Sequence, residues 1–219
     1  MKFRKLRADE IEARLSMVTE NGCGILLYKD ARVDQRILDE TVGPMNWQRH
    51  HTRDNANCVV SIWDEEKKQW IEKEDTGVAS YTEAEKGLAS DSFKRACFNW
   101  GIGRELYTSP QIWFTSQEAN INGKKCYDKF IVTDIQYQDE NIASVTVKNT
   151  KKGIEKTFSN TKVEQAVINE GRDNMIAYLQ ENMPENRMKK MLEYYKVSEI
   201  KYLKQPDLTK VYAEIKAGK

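Results

Sequence analysis

The chain of 219 residues has no long hydrophobic run. A helix that crosses a bilayer needs about 20 consecutive apolar residues, so the sequence predicts no membrane span. The basic residues at the start of the chain are not followed by an apolar segment, as they would be in a secretory signal. We therefore expect a cytoplasmic protein that has no membrane partner.

Cysteine is scarce too, and no two cysteines have C-x-x-C spacing. Cys23, Cys58, Cys97 and Cys126 are typical of reduced thiols in an intracellular protein. His50 and His51 could bind a metal together with Cys58, but neighbouring side chains on a strand point to opposite faces. We expect neither a metal nor any other cofactor.

The sequence contains no G-x-x-x-x-G-K-[ST] phosphate loop, which argues against a nucleotide-driven recombinase. Gly101 and Gly103 resemble the start of a dinucleotide fingerprint, but they follow a predicted helix and the third glycine is missing. The acids of residues 64–75 could suggest a two-metal nuclease, although a solvated hairpin or a subunit contact explains them better. We expect a binding protein and not an enzyme.

The formal net charge of +1 hides an uneven distribution. Residues 64–85 contain eight acids and three lysines, whereas residues 148–162 contain five lysines and one glutamate. Such segregation permits a basic surface for nucleic acid on a nearly neutral chain. It also permits acidic and basic patches to meet between subunits, and the charges alone do not separate the two.

Hydrophobic periodicity predicts an α+β fold. We expect an antiparallel β-meander packed by a long amphipathic helix, with further strands, C-terminal helices and assembly into an oligomeric ring or helix. The predicted helices cover residues 8–15, 31–42 and 82–100 and the region after 163, with a turn at 21–24 and breaks near Pro184 and Pro206. The predicted strands cover residues 47–53, 58–63, 70–74, 129–137 and 142–147. We divide the chain into a core, 1–158, and a C-terminal helical segment, 159–219.

The helix before Gly101 and Gly103 is the most informative segment. Thr82 and Glu85 have the spacing of a capping box, and the glycines are typical of a helix end. One face carries Ala89, Phe93, Ala96 and Trp100, and the opposite face carries Asp91, Lys94, Arg95 and Phe98. Two adjacent cations beside an outward aromatic suit a polyanion with flat bases, although an ordinary solvated face would look the same.

Four segments in order carry a resemblance to a known family. They are Y-K-D-A-R-V at 28–33, G-P-M-N-W at 43–47, E-D-T-G at 74–77 and A-S-D-S-F-K-R-A at 89–96. Over residues 11–107 the chain resembles the Rad-fifty-two family of single-strand annealing proteins. Within that family it is most similar to the short members from phages and prophages. The resemblance implies a ring or helical oligomer that holds a single DNA strand by its backbone in a basic groove, with the bases exposed.

The family's groove lysine and arginine fall on Lys94 and Arg95. Eukaryotic members have a further basic residue where this chain has Phe98. Three explanations stay open: Arg104 or the sheet residues Arg49 and Arg53 supply the charge, Phe98 stacks on a base, or Phe98 packs against a neighbouring subunit.

The resemblance predicts an ATP-independent protein that binds and anneals single-stranded DNA in homologous recombination and double-strand break repair. A mediator that loads a recombinase without annealing is the main alternative, and a metal-dependent nucleic-acid enzyme is a weaker one. The expected partners are single-stranded DNA, further copies of the chain, and a phage exonuclease or a host single-strand binding protein or recombinase. For a phage-encoded protein, the location would be the cytoplasm of the bacterial host.

Overall fold

The computed structural model describes residues 1–78 and 84–218. The chain forms two compact units, Met1–Asn160 and Thr161–Lys219. The strands that the structure describes lie in the first unit, and the second unit is built from helices. The α+β class predicted from the sequence is confirmed.

The first unit contains antiparallel sheets and two α-helices, α1 (Ala31–Val42) and α2 (Ala84–Trp100). Its strands are β1 (Glu12–Thr19), β2 (Gly22–Tyr28), β3 (Trp47–Thr52), β4 (Asn57–Asp64), β5 (Gln69–Thr76), β6 (Ile112–Thr115), β7 (Ile121–Asn122), β8 (Lys125–Cys126), β9 (Phe130–Gln138), β10 (Asn141–Asn149) and β11 (Ile154–Ser159). Six of them form a sheet in the order β11-β10-β9-β1-β2-β6, β3-β4-β5 form a meander, and β7 pairs with β8.

The meander and α2 pack together as the sequence predicts. One face of β4 is apolar, and Val60 and Ile62 are almost completely buried there. Phe93 of α2 is fully buried, and its ring stacks on that of Trp47 with a centroid distance of 6.1 Å. Full burial of a phenylalanine contributes about 1.5–3 kcal/mol, so this contact is a main reason why α2 stays on the meander.

A close backbone approach joins the end of β5 to α2. A Cβ atom on Gly77 would lie 2.5 Å from the backbone nitrogen of Ser92, so only glycine fits without a shift. Just beyond it, the backbone N–H of Val78 donates to a carboxylate oxygen of Asp91 over 2.9 Å. The glycine of the E-D-T-G segment and the aspartate of the A-S-D-S-F-K-R-A segment therefore dock the strand end on the helix.

The helix ends are set by local signals. Asp30 caps α1 by accepting from the backbone N–H of Arg32 over 2.8 Å. Helix α2 ends at Trp100, and the two glycines after it have φ angles of 103° and 76°, which confirms the predicted stop. The predicted start at Thr82 and its capping box with Glu85 fall outside the described residues.

The predicted helix at residues 8–15 is wrong. The structure has a short 3-10 turn at Ala8–Glu10 and then strand β1, which forms a hairpin with β2. The predicted turn at 21–24 is also shifted, because β2 begins at Gly22. Helical spacing of a few apolar residues misled the prediction, since β1 is stabilised by pairing with β2 on one side and β9 on the other.

The later elements follow the prediction in part. Strands β9 and β10 are confirmed, whereas β6 and β11 were not predicted. The second unit contains α3 (Thr161–Asn182), α4 (Glu185–Tyr195) and α5 (Gln205–Lys216) around a core that includes Leu179 and Leu208. Pro184 precedes α4 as predicted, and Pro206 stands in the first turn of α5, where its missing N–H costs nothing. Within the described part of the chain, no helix has the length and apolarity to span a membrane.

Candidate nucleic-acid interface

A cleft of about 910 Å³ opens on the first unit. Its walls are the face of β1 and β2 that carries Arg14 and Tyr28, the last turns of α2, and the 3-10 turn Arg104–Thr108 that follows α2. The cations that line it are Arg14, Lys29, Lys94 and Arg95, and the aromatic residues are Tyr28, Phe98, Tyr107 and Trp113. Two acids, Asp75 and Asp91, also line it, so the cleft combines an excess of cations with aromatic rings.

Lys94 and Arg95 both line this cleft, but their surroundings differ. The guanidinium of Arg95 donates from Nε to Asp75 over 3.2 Å, and the Arg95 side chain is half exposed. Lys94 forms no ion pair within residues 1–78 and 84–218. Lys94 is thus available to a ligand, whereas Arg95 already shares its charge with one carboxylate.

Arg14 and Tyr28 reach the cleft from the β1–β2 hairpin. The guanidinium carbon of Arg14 lies 5.3 Å from the centre of the Tyr28 ring, and the Arg14 side chain is exposed. The Tyr28 hydroxyl donates to Glu12, which raises the pKa of the phenol. Sequence reasoning missed both cleft residues because it placed a helix over Arg14. Two β-rich runs around the turn before Gly22 were the signal that could have found them.

Phe98 and Arg104 form a unit at the end of α2. Arg104 donates to the backbone carbonyls of Phe98 and Asn99, each over 2.8 Å, so its positive charge lies at the negative end of the helix. Its guanidinium carbon is 5.5 Å from the centre of the Phe98 ring. Phe98 lines the cleft, but Arg104 is not among the lining residues. The first role of Arg104 is therefore to close the helix.

The two sheet arginines lie outside the cleft lining. Arg49 on β3 places its guanidinium carbon 4.7 Å from the centre of the buried Phe93 ring, on the α2 side of the meander. The sequence predicts Arg53 on the same strand as Arg49, and this is wrong. Strand β3 ends at Thr52, and Arg53 lies in the following turn with a φ of 52°. The strand alternation that paired Arg49 with Arg53 breaks at this turn.

Lys29, one of the residues that line the cleft, belongs to a buried ion pair. The Lys29 ammonium contacts the carboxylate of Asp34, and both side chains are buried. Burial raises the pKa of Asp34 to about 6, although the charge of Lys29 opposes this effect. One carboxylate oxygen of Asp34, Oδ2, has no hydrogen-bond partner. Lys29 can lie here because residue 103 is a glycine. A Cβ atom at that position would be only 2.2 Å from the Lys29 Cε atom.

Acids of the hairpin at residues 64–75 accept hydrogen bonds within the hairpin itself. Asp64 accepts from the backbone N–H groups of Glu66 and Lys67, which lowers its pKa, and Ser61 donates to Glu72 across the strands. On β3, the His51 ring nitrogen Nδ1 lies 3.4 Å from the Ser92 hydroxyl. Among the residues that the structure describes, no three metal-binding side chains come together.

The comparison with curated proteins and the comparison with solved structures gave no match. Residues 28–125 match the family model described as Rad52/22 family double-strand break repair protein. The matched region includes the meander, α2 and the cleft residues Lys94, Arg95 and Phe98, and it begins at Tyr28. The region that contains the meander and α2 is therefore similar to the Rad52/22 family of double-strand break repair proteins.

Proposed function

We propose that the protein binds single-stranded DNA in the cleft and anneals complementary strands without ATP. The observation that carries this proposal is the convergence of Lys94, Arg95 and Arg14 in one cleft that is also lined by aromatic rings. The family match to double-strand break repair proteins supports the same process, since repair of a break by annealing needs complementary single strands to pair.

The proposed mechanism rests on charge neutralisation. Two DNA strands repel each other through their phosphates, and cations in the cleft reduce this repulsion while they release counterions. Each phosphate contact on a single strand lowers log K by about 0.7 for each tenfold rise in salt. A cleft that holds the backbone leaves the Watson–Crick edges free, so base pairing itself supplies the free energy. In this proposal the residues bind and orient DNA, and none acts as a catalytic group.

We assign the annealing core to residues 1–158 and contacts with other copies or partner proteins to residues 159–219. The exposed rings of Tyr194 and Tyr202 on the second unit support a contact role, because large exposed aromatics are enriched in interfaces. Assembly into a ring or a helical oligomer would join the clefts of successive copies. A phage exonuclease, a host single-strand binding protein or a host recombinase are the partners that we propose to test.

The test is annealing of two fluorescent complementary oligonucleotides without ATP at several salt concentrations. We expect wild-type protein to accelerate annealing, less so at high salt, and the double variant Lys94→Ala with Arg95→Ala to lose both annealing and strand binding. The matched control is Lys124→Ala with Lys125→Ala, which also removes two adjacent exposed cations but none from the cleft lining. A circular dichroism melt of each variant checks that it is folded.

Two results would contradict the proposal. Full strand binding by the folded Lys94/Arg95 double variant would show that DNA lies elsewhere. Tight strand binding by the wild type with annealing at the spontaneous rate would favour a mediator that loads a recombinase.

A further inference from the structure

Tyr107 is the most exposed aromatic side chain in the cleft lining. It stands in the 3-10 turn Arg104–Thr108, and 77% of its surface is accessible. Its ring centre lies 4.8 Å from that of Phe98, with an angle of 60° between the planes. Its hydroxyl makes no hydrogen bond within the described part of the chain. The ring therefore leans on Phe98 and turns its other face to solvent.

The turn that carries Tyr107 is held by hydrogen bonds on both sides of it. The buried carboxylate of Glu105 accepts from the backbone N–H of Leu6 over 2.8 Å. Thr108 accepts at its hydroxyl from the backbone N–H of Ile142 over 2.8 Å, and Asn160 donates to the Thr108 carbonyl over 2.7 Å. An exposed ring on so fixed a backbone loses little freedom when it binds a flat ligand.

Phe98 is a poorer candidate for direct stacking than Tyr107. One of its neighbours is Tyr107 and another is the guanidinium of Arg104, whose carbon lies 5.5 Å from the ring centre. Arg104 cannot move away freely, because it also donates to the last carbonyls of α2. Phe98 is thus occupied by contacts within the protein and acts as a support for the Tyr107 ring.

The position of this pair suits a nucleotide. Lys94 and Phe98 are four residues apart on α2 and therefore lie on the same side of the helix. A strand whose phosphate lies at Lys94 would bring a base towards Phe98 and Tyr107. Aromatic rings stack on any base through its flat face, which leaves the pairing edge free.

We propose that Tyr107, supported by Phe98 and Arg104, is a base-stacking residue at the rim of the cleft. This inference rests on the proposed function, since it requires a single strand in the cleft. It also explains why Phe98 can stand where eukaryotic members of the family have a basic residue. In this chain, one stacked base replaces one phosphate contact. Stacking of a single base typically strengthens binding by about 5- to 150-fold.

The experiment compares two strands of equal length, an oligothymidylate and a strand that carries abasic sites, by fluorescence anisotropy. We expect Tyr107→Leu to weaken binding of the oligothymidylate by about 5- to 150-fold and to leave the abasic strand unchanged. The slope of log K against log salt should stay the same, because no phosphate contact is lost. Tyr107→Phe keeps the ring and should bind like the wild type, and Phe98→Leu should cause a smaller loss.

Tyr127→Leu is the matched control. Tyr127 is 72% exposed but does not line the cleft, so this variant should bind both strands normally. An unchanged affinity of Tyr107→Leu for oligothymidylate would overturn the inference, and so would an equal loss on both strands. Dissociation of an oligomer by Tyr107→Leu in sedimentation would also overturn it, since the ring would then belong to a subunit contact. If the wild type binds neither strand, the proposed function itself fails, and this is seen before any variant is compared.

Discussion

The buried pair of Lys29 and Asp34 allows a sharp test of what holds the cleft together. The exposed fraction is 7% for the Lys29 side chain and 0% for that of Asp34, so both charges have left water. The attraction between them compensates for this loss only if the remaining polar atoms are also satisfied. Asp34 Oδ2 has no partner, so the compensation is incomplete. We therefore predict that the pair contributes little net stability, although each partner depends on the other.

The prediction has three parts. Asp34→Leu leaves the Lys29 ammonium buried alone and should lower the free energy of unfolding by about 3–5 kcal/mol. Lys29→Met should cost less, because an isolated Asp34 can take up a proton. The double variant Lys29→Met with Asp34→Leu should be as stable as the wild type, or more stable by about 1–4 kcal/mol. Urea unfolding followed by circular dichroism measures all four proteins.

The pH dependence of the free energy of unfolding is a second test of the Lys29–Asp34 pair. The folded-state pKa of Asp34 is about 6, above its ordinary value of 3.8, so the folded protein holds this proton more tightly than the unfolded chain. This contribution to stability is complete below about pH 4 and is lost as the pH rises to about 6. At about 1.4 kcal/mol for each unit of pKa, the loss amounts to about 3 kcal/mol.

Glu10 acts in the opposite sense. Burial disfavours its charge, but hydrogen bonds from Arg4 and Arg7 outweigh burial and lower its pKa to about 2. Its contribution is present above about pH 4.5 and falls at lower pH. Because Glu10 is the same in wild type and double variant, its effect cancels in the difference between them. The reasoning would be refuted if the double variant lost several kcal/mol, or if its stability changed between pH 4 and 6 as that of the wild type does.

Two further predictions concern the cleft and its support. Asp75→Asn should free Arg95 from its ion pair, so single-strand affinity should increase and the slope of log K against log salt should steepen by up to about 0.7; an unchanged salt titration would show that Arg95 does not contact phosphate. Gly77→Ala should lower the thermal midpoint by roughly 4 °C or more, because a Cβ atom there would meet the Ser92 backbone at 2.5 Å; a melting curve that matches the wild type would show that β5 and α2 can separate without cost.

Elements held by local signals were predictable from the sequence. Helix α1 has an aspartate cap before it, and α2 ends at two glycines. The meander β3-β4-β5 has short polar turns and one apolar face. Each of these signals lies within a few residues of the element that it defines. Propensity and periodicity were therefore enough to find them.

The elements that depend on distant partners were not predictable in the same way. Strand β1 pairs with β9, which is more than 100 residues later in the chain, and β2 pairs with β6. Local sequence says little about such pairing, because the strand is stabilised by neighbours that only the fold supplies. For the same reason β6 was missed, whereas β11 pairs with the neighbouring β10 and its omission has no such explanation.

The residues of the candidate site show the same difference between local signals and distant partners. Lys94 and Arg95 were found because they stand side by side on a helix whose other face is apolar. Arg14, Tyr28 and Tyr107 were missed because a hairpin and a 3-10 turn, both outside α2, bring them to the helix. Arg104 was found as a charge, but its contacts with the α2 carbonyls depend on the path of the chain after Gly103.

The cleft therefore depends on the joining of two sheets and not on α2 alone. The residues that we expect to bind phosphate lie on α2 and on β1. A DNA strand in the cleft would therefore contact Lys94 on the helix that packs on the meander, and Arg14 on the six-stranded sheet. Lys29 and Gly103 both line the cleft and pack closely against each other. Gly103→Ala would place a Cβ atom 2.2 Å from Lys29 Cε, so it should alter the spacing of the cations without removing any of them. Strand affinity should then fall while each lysine and arginine remains in place, which separates the geometry of the cleft from its charge.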